Sequence, residues 1–158
     1  MRALCLCLAL LLGSGTAQAL SGVVIRVTDG DTLWLRPAGG KPVKVRLPGI
    51  DAPERCQPWG EQARAALASR VLHQQVNVRT RAHDDYQRAI ALVELNGDDL
   101  AAWLVREGHA WSYRYRRSLG PYAQQEQQAR AARRGLFAQA AVEPRVFRKT
   151  HGPCGPGP

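Results

Sequence analysis

The sequence lacks a long apolar segment. The longest apolar run covers residues 4–12, well short of the roughly 20 residues that a transmembrane helix needs. It also lacks an internal repeat, and its 158 residues suffice for one domain with a real core but not for two. We therefore expect a single domain, with no membrane association in the mature chain.

Histidine is scarce and scattered along the chain. The four histidines are His73, His83, His109 and His151. A zinc site needs ligands at short spacing, and a histidine-assisted hydrolase needs a nucleophile nearby. The sequence offers neither arrangement, which excludes a histidine-based metal or hydrolase site.

The first segment has the pattern of a secretory signal peptide. Arg2 supplies a positive start, the apolar run follows, and Ala17-Gln18-Ala19 is a small-residue cleavage pattern. We predict a signal peptide over residues 1–19 with cleavage near Ala19. The mature chain is then exported, either to a periplasm or to the medium.

Cysteine is also scarce once that segment is removed. Cys5 and Cys7 lie in the signal, which leaves Cys56 and Cys154. In an exported protein, two cysteines without close metal-binding partners more often form a disulfide than bind a metal. We predict a Cys56–Cys154 bridge. The alternative is two unpaired thiols, with Cys154 in a tail too mobile to close the ring.

The chain is strongly basic, with 22 Lys and Arg against 13 Asp and Glu and a formal net charge of +9. Lysine contributes only Lys41, Lys44 and Lys149. Clustered positive charge favours a polyanion, and nucleic acid fits best because phosphates release counterions on binding. Arginine suits bidentate phosphate contacts, although a GC-rich genome produces the same bias.

Periodicity predicts an α+β fold that is mainly β. Strands are indicated at residues 23–27, 32–35, 43–47, 76–79 and 88–95. Helices are indicated at residues 60–72, from Asp98 or Asp99 to Glu107, and at about 121–134. Five strands with a helix after the third match an OB-fold barrel carrying about three helices. The domain covers residues 20–140, and a Pro/Gly-rich tail over 141–158 has too little apolar content to fold alone.

Three motifs concentrate charge in short segments. They are the turn Asp29-Gly30-Asp31-Thr32, the string R-L-P-G-I-D-A-P-E from Arg46 to Glu54, and Tyr86-Gln87-Arg88. An unpaired buried charge is costly, so charges on an apolar run indicate a site. In this order the motifs resemble the staphylococcal nuclease family, and the resemblance extends over about residues 24–137. It implies the same OB-fold barrel and a nuclease function.

The resemblance implies a calcium site. The family's ligands fall on the carboxylates of Asp31 and Asp51 and on the backbone carbonyl of Ala52, with Asp29 beside them. Calcium takes oxygen ligands at flexible geometry. The family has threonine where this chain has Ala52, and a main-chain contribution should tolerate that change.

The resemblance also implies the catalytic set Arg46, Glu54 and Arg88. Attack of water on a phosphodiester builds negative charge around phosphorus, which two guanidinium groups can stabilise. Glu54 would deprotonate or orient the water, and residue identity leaves both roles open. Gln87 stands where the family often has glycine, a change that could alter the angle at which Arg88 enters the site.

Three tyrosines, Tyr86, Tyr113 and Tyr115, align with family tyrosines near the bound nucleotide. Aromatic rings stack on unpaired bases with little sequence preference. The alternative is that these rings pack on the barrel, as many tyrosines do.

The sequence leaves two functional classes in competition. The first is a monomeric, exported, calcium-dependent nuclease that cuts DNA and RNA, prefers single-stranded or flexible regions and leaves 3′-phosphate ends. The second is an inactive OB-fold module that binds nucleic acid or a protein partner. A third, an envelope protein that binds anionic glycans or lipid headgroups, would not explain the acids. The first is favoured because the chain retains the charged residues that inactive family members lose: Asp31, Arg46, Asp51, Glu54 and Arg88.

Overall fold

The computed structural model describes residues 20–152 and 154–155. The predicted signal peptide over residues 1–19, with Cys5 and Cys7, lies outside them. In the described residues the strands are β1 (Leu20–Asp29), β2 (Thr32–Pro37), β3 (Val43–Arg46), β4 (Ile50–Asp51), β5 (Gln75–His83), β6 (Ala89–Leu95), β7 (Asp98–Asp99) and β8 (Trp111–Ser112). The helices are α1 (Gly60–Val71), α2 (Leu100–Arg106), α3 (Ala123–Ala131) and α4 (Pro144–His151), with a 3-10 turn at Gly135–Ala138.

Five of these strands close into a barrel. The strands β1, β2 and β3 form an antiparallel meander, and β5 joins β1 and β6 in antiparallel pairs. A parallel pairing of β3 with β6, in which Val45 lies opposite Ala89, completes the ring. The predicted OB-fold class is thereby confirmed. Outside the barrel, β7 extends β6 and the short strand β4 pairs with β8.

The alternation of apolar residues explains the barrel interior. In β2 and β3 the buried apolar residues are Leu33, Leu35 and Val45, each fully buried. They pack with residues of β1, β5 and β6 and with Leu67 of α1 and Leu104 of α2 in one core. Burial of each such side chain contributes about 1.5–3 kcal/mol, so the barrel is held mainly by this core.

Capping residues fix the bounds of α2. One oxygen of Asp99 accepts hydrogen bonds from the backbone N–H groups of Ala101 (2.8 Å) and Ala102 (3.3 Å). The helix ends before Gly108, whose φ of 75° favours glycine. A Cβ at Gly108 would also lie 2.2 Å from the carbonyl oxygen of Arg134. The predicted N-cap at Asp99 and the predicted helix stop at Gly108 are therefore both present.

Within residues 20–152 and 154–155 there is one helix more than the three that periodicity predicts. The additional helix is α4, in the segment that composition describes as a Pro/Gly-rich tail. Pro144 occupies its first turn, a position that suits proline, and Phe147 is buried and stacks on His151 with ring centroids 4.2 Å apart. Too few apolar residues occur in this segment to generate a detectable period.

The predicted disulfide is present. Cys56 and Cys154 are bonded, with their Cα atoms 5.7 Å apart. The bridge ties the chain just after α4 to the loop that follows Glu54. No helix in the described part of the chain is long and apolar enough to cross a membrane.

Candidate active site

A polar cavity of about 420 Å³ collects almost every predicted site residue. Its wall is formed by six parts of the chain: the β1–β2 turn, the end of β3, the segment from β4 to Glu54, the β5–β6 loop, the chain after β8, and α4. The lining residues are Asp29, Asp31, Arg46, Asp51, Ala52, Pro53, Glu54, Tyr86, Arg88, Tyr113 and Arg148.

The β1–β2 turn places Asp31 in the cavity wall. The register of β2 with β3 sets Thr32 opposite Arg46, and the Nη2 atom of Arg46 lies 3.0 Å from Oδ2 of Asp31. The same oxygen accepts a hydrogen bond from the backbone N–H of Ala52 (3.2 Å). Gly30 permits this approach, because a Cβ there would lie 2.7 Å from the Cβ of Ala52. The D-G-D and D-A-P-E motifs are thus packed directly against each other.

The acids of the cavity are crowded and poorly solvated. Asp31 and Asp51 are buried, at 7% and 6% exposure. Burial raises the pKa of Asp51 above its ordinary value. Burial, together with the neighbouring carboxylate of Asp31, raises the pKa of Asp29 to about 7. Keeping these desolvated, neighbouring carboxylates ionised is energetically unfavourable. A bound cation would stabilise their charged form.

Arg46 is fixed by the backbone as well as by the acids. Its guanidinium donates to the carbonyl of Leu47 (2.5 Å) and to that of Ile50 (3.0 Å). Only 19% of its side chain is exposed. Its position is set before any ligand binds, which is the condition for efficient electrostatic stabilisation of a transition state.

Arg88 enters the cavity from the β5–β6 loop. Its Nε donates to Asp84 (2.8 Å), which also accepts a bond from the Arg88 backbone N–H (3.0 Å). Gln87 has a φ of 58°, in the left-handed region that glycine adopts most easily. The backbone therefore keeps a glycine-like conformation despite the glutamine, and Arg88 lines the cavity with Arg46.

The three tyrosines are not placed alike. Tyr86 and Tyr113 line the cavity, and the Tyr86 ring lies 5.3 Å from the Arg88 guanidinium. Tyr115 lies outside the cavity lining in the described part of the chain, and it is 62% exposed beside Arg116. Exposure of Tyr86 at 80% and of Tyr113 at 44% leaves both rings open to a stacking partner.

Arg148 of α4 is a site residue that the sequence analysis missed. It donates to both oxygens of Asp51 (3.3 and 3.1 Å) and to Glu54 (2.7 Å). The only sequence signal was indirect, since the predicted Cys56–Cys154 bridge brings this part of the chain to the loop after Glu54.

Within residues 20–152 and 154–155, no group of three or more His, Cys, Asp or Glu side chains is arranged to hold a metal ion. A cation in the cavity would therefore combine side-chain carboxylates with other oxygen donors. Asp31, Asp51 and the backbone of Ala52 can supply such a set, with water and substrate phosphate completing it.

Comparison with known proteins was consistent with this geometry. Residues 44–139, more than half of the chain, match the family model described as staphylococcal nuclease homologue. The chain is 39% identical to "Protein ParB" of Escherichia coli over 155 residues, covering 90% of this chain and 87% of that protein. It is 34% identical to "Micrococcal nuclease" of Shigella flexneri over 140 residues, covering 81% and 80%. It is also 34% identical to an "Uncharacterized endonuclease" of Haemophilus influenzae over 127 residues, covering 80% and 71%.

Proposed function

The chain belongs to the staphylococcal nuclease homologue family, and from that premise we propose that it is a calcium-dependent nuclease that hydrolyses DNA and RNA. The relatives described as nuclease and endonuclease support hydrolysis of nucleic acid. The observation that carries the proposal is the convergence of Arg46, Arg88 and an acid cluster in one cavity. A module that only binds nucleic acid has no need of buried carboxylates facing the phosphate.

The oxygen-rich acid cluster supports calcium as the cofactor. Asp31, Asp51 and the carbonyl of Ala52 offer only oxygen atoms, which a hard cation such as calcium prefers. The desolvated, mutually repelling carboxylates would be stabilised by a positive ion. When bound, calcium would supply positive charge that binds the phosphate and offsets the charge of the transition state.

The remaining residues have separate tasks in hydrolysis. Arg46 and Arg88 would bind the non-bridging oxygens of the diester and stabilise the charge that builds there as water attacks. Glu54 would accept a proton from that water or hold it in line. For Glu54 to do so, its carboxylate must be released from Arg148, which now lies 2.7 Å away.

Stacking surfaces beside the phosphate site support a preference for single-stranded or flexible substrate. Tyr86 and Tyr113 present exposed rings at the cavity, and a ring can stack only on a base that has left its own stack. We also propose that hydrolysis of the diester leaves 3′-phosphate ends. The disulfide supports an oxidising, exported location, and we propose a monomer.

A conservative variant panel tests the proposal. In Arg46→Lys and Arg88→Lys, the bidentate contact is lost and the positive charge is kept, so hydrolysis of end-labelled single-stranded DNA should fall by roughly 100-fold. Arg36→Lys is the matched control. It is exposed near the far end of β2, away from the β1–β2 turn, and its activity should equal that of the wild type.

The wild-type products should carry 3′-phosphates, as removal of the terminal phosphate by a phosphatase would reveal. Tight binding of single-stranded DNA without cleavage would contradict the proposal and favour an inactive binding module.

A further inference from the structure

We infer that Arg148 competes with the divalent cation for Asp51 and so sets the cation affinity of the site. This inference rests on the proposed function, because it assumes that Asp51 is a cation ligand. It makes Arg148 a positioning residue of the cavity, held there by α4.

Arg148 contacts Asp51 more closely than Arg46 does, and it also contacts Glu54. Nη1 and Nη2 lie 3.3 and 3.1 Å from the two oxygens of Asp51, a bidentate arrangement. Nη1 also lies 2.7 Å from Oε1 of Glu54. Arg46 remains 3.9 Å from Asp51 and pairs mainly with Asp31. Arg148 is therefore the principal counter-ion of Asp51 and Glu54.

A cation and Arg148 compete for the same two oxygens. Calcium binds carboxylate oxygens at about 2.3–2.6 Å. The guanidinium takes one lone pair on each oxygen of Asp51, and its positive charge repels an arriving ion. Close approach of a cation therefore favours release of Arg148, and the apparent affinity scales with the fraction of molecules in which Arg148 is released.

The helix that carries Arg148 is anchored independently of that side chain. The disulfide holds the chain that follows α4, and Phe147 of α4 is itself buried. Before the helix, the side-chain amide of Gln57 donates a hydrogen bond to the carbonyl of Val142 (2.6 Å). Arg114 also pairs with Glu143 at the start of the helix (3.0 Å). Such anchoring gives Arg148 a high effective concentration at the acids. Its side chain is 40% exposed, so it can still turn into solvent when displaced.

The test is calorimetric titration of calcium into the wild type, Arg148→Gln and Lys149→Gln, without nucleic acid. Lys149→Gln is the matched control, because it removes the same charge from the next, exposed position of α4. Arg148→Gln should lower the Kd for calcium about tenfold, and Lys149→Gln should change it less than twofold. Arg148→Lys, which keeps the charge, should fall between the wild type and Arg148→Gln.

The outcomes separate this inference from the proposed function. If the wild type binds calcium and Arg148→Gln binds it equally or more weakly, the competition is refuted and the proposed function stands. An equal gain in both glutamine variants would also refute it, since net charge alone would then explain the effect. Absence of calcium binding in every folded variant, with folding checked by circular dichroism, would overturn both.

Discussion

Removal of the disulfide should cost this protein a large share of its stability. The bridge joins residues 98 apart in sequence, so it closes residues 56–154 into one loop, which carries everything that follows β4. In the chain-entropy model a loop of about 100 residues loses roughly 4.7 kcal/mol of unfolded-state entropy at 25 °C. We expect the Cys56→Ser/Cys154→Ser variant to lose about 4–5 kcal/mol of unfolding free energy, out of a typical total of about 5–15 kcal/mol.

Urea unfolding followed by tryptophan fluorescence measures this effect, because the chain has four tryptophans. With a slope of about 2 kcal/mol per molar urea, the midpoint should fall by roughly 2 M. Reductant should shift the wild type in the same direction and leave the double variant unchanged. Unfolding free energies of wild type and variant that agree within about 0.5 kcal/mol would contradict this prediction, since the bridge would then restrain only the chain end.

Three further predictions concern single side chains. Glu54→Gln should keep the fold and lower the turnover of single-stranded DNA by about 10²–10⁴-fold, and unchanged turnover would remove Glu54 from the mechanism. Glu126→Ala should cost about 1–3 kcal/mol in urea unfolding, because it leaves the buried backbone N–H of Ser112 without its acceptor and removes a partner of Arg114 and Arg130, of which Arg114 keeps Glu143; a loss under about 0.5 kcal/mol would contradict that. Burial lowers the pKa of His109 below 6.5, so the unfolded chain binds its proton first and stability should decrease as pH falls below 6.5. A His109→Gln variant should lose that part of the pH dependence, which pH-resolved thermal unfolding would detect.

Local patterns sufficed to predict the strands and helices that build the barrel. Alternating residues in β2 and β3 fix which face is buried, and one slip in register would expose Leu33 and Val45. The cap at Asp99 and the glycine at Gly108 are similarly local signals. Closure of β3 on β6 is a long-range pairing, and the sequence indicated it only through the order of elements.

The site was predictable where motif residues lie on neighbouring elements. The β2–β3 register brings Arg46 to Asp31, and the turn at Gln87 brings Arg88 to the same cavity. Arg148 could not be found in this way. An eight-residue helix with one buried aromatic is too short to form alone, so its position depends on the disulfide and on ion pairs with distant residues.

Calcium-dependent hydrolysis is measured most directly as release of acid-soluble nucleotides from single-stranded DNA by the purified protein, in calcium and in excess chelator. A calcium-dependent nuclease should give release in calcium, none in chelator, and recovery when calcium is restored. Equal release in both conditions would contradict a calcium-dependent site at Asp31 and Asp51. No release in either condition, despite tight binding of the DNA, would mean that the cavity binds nucleic acid without cleaving it.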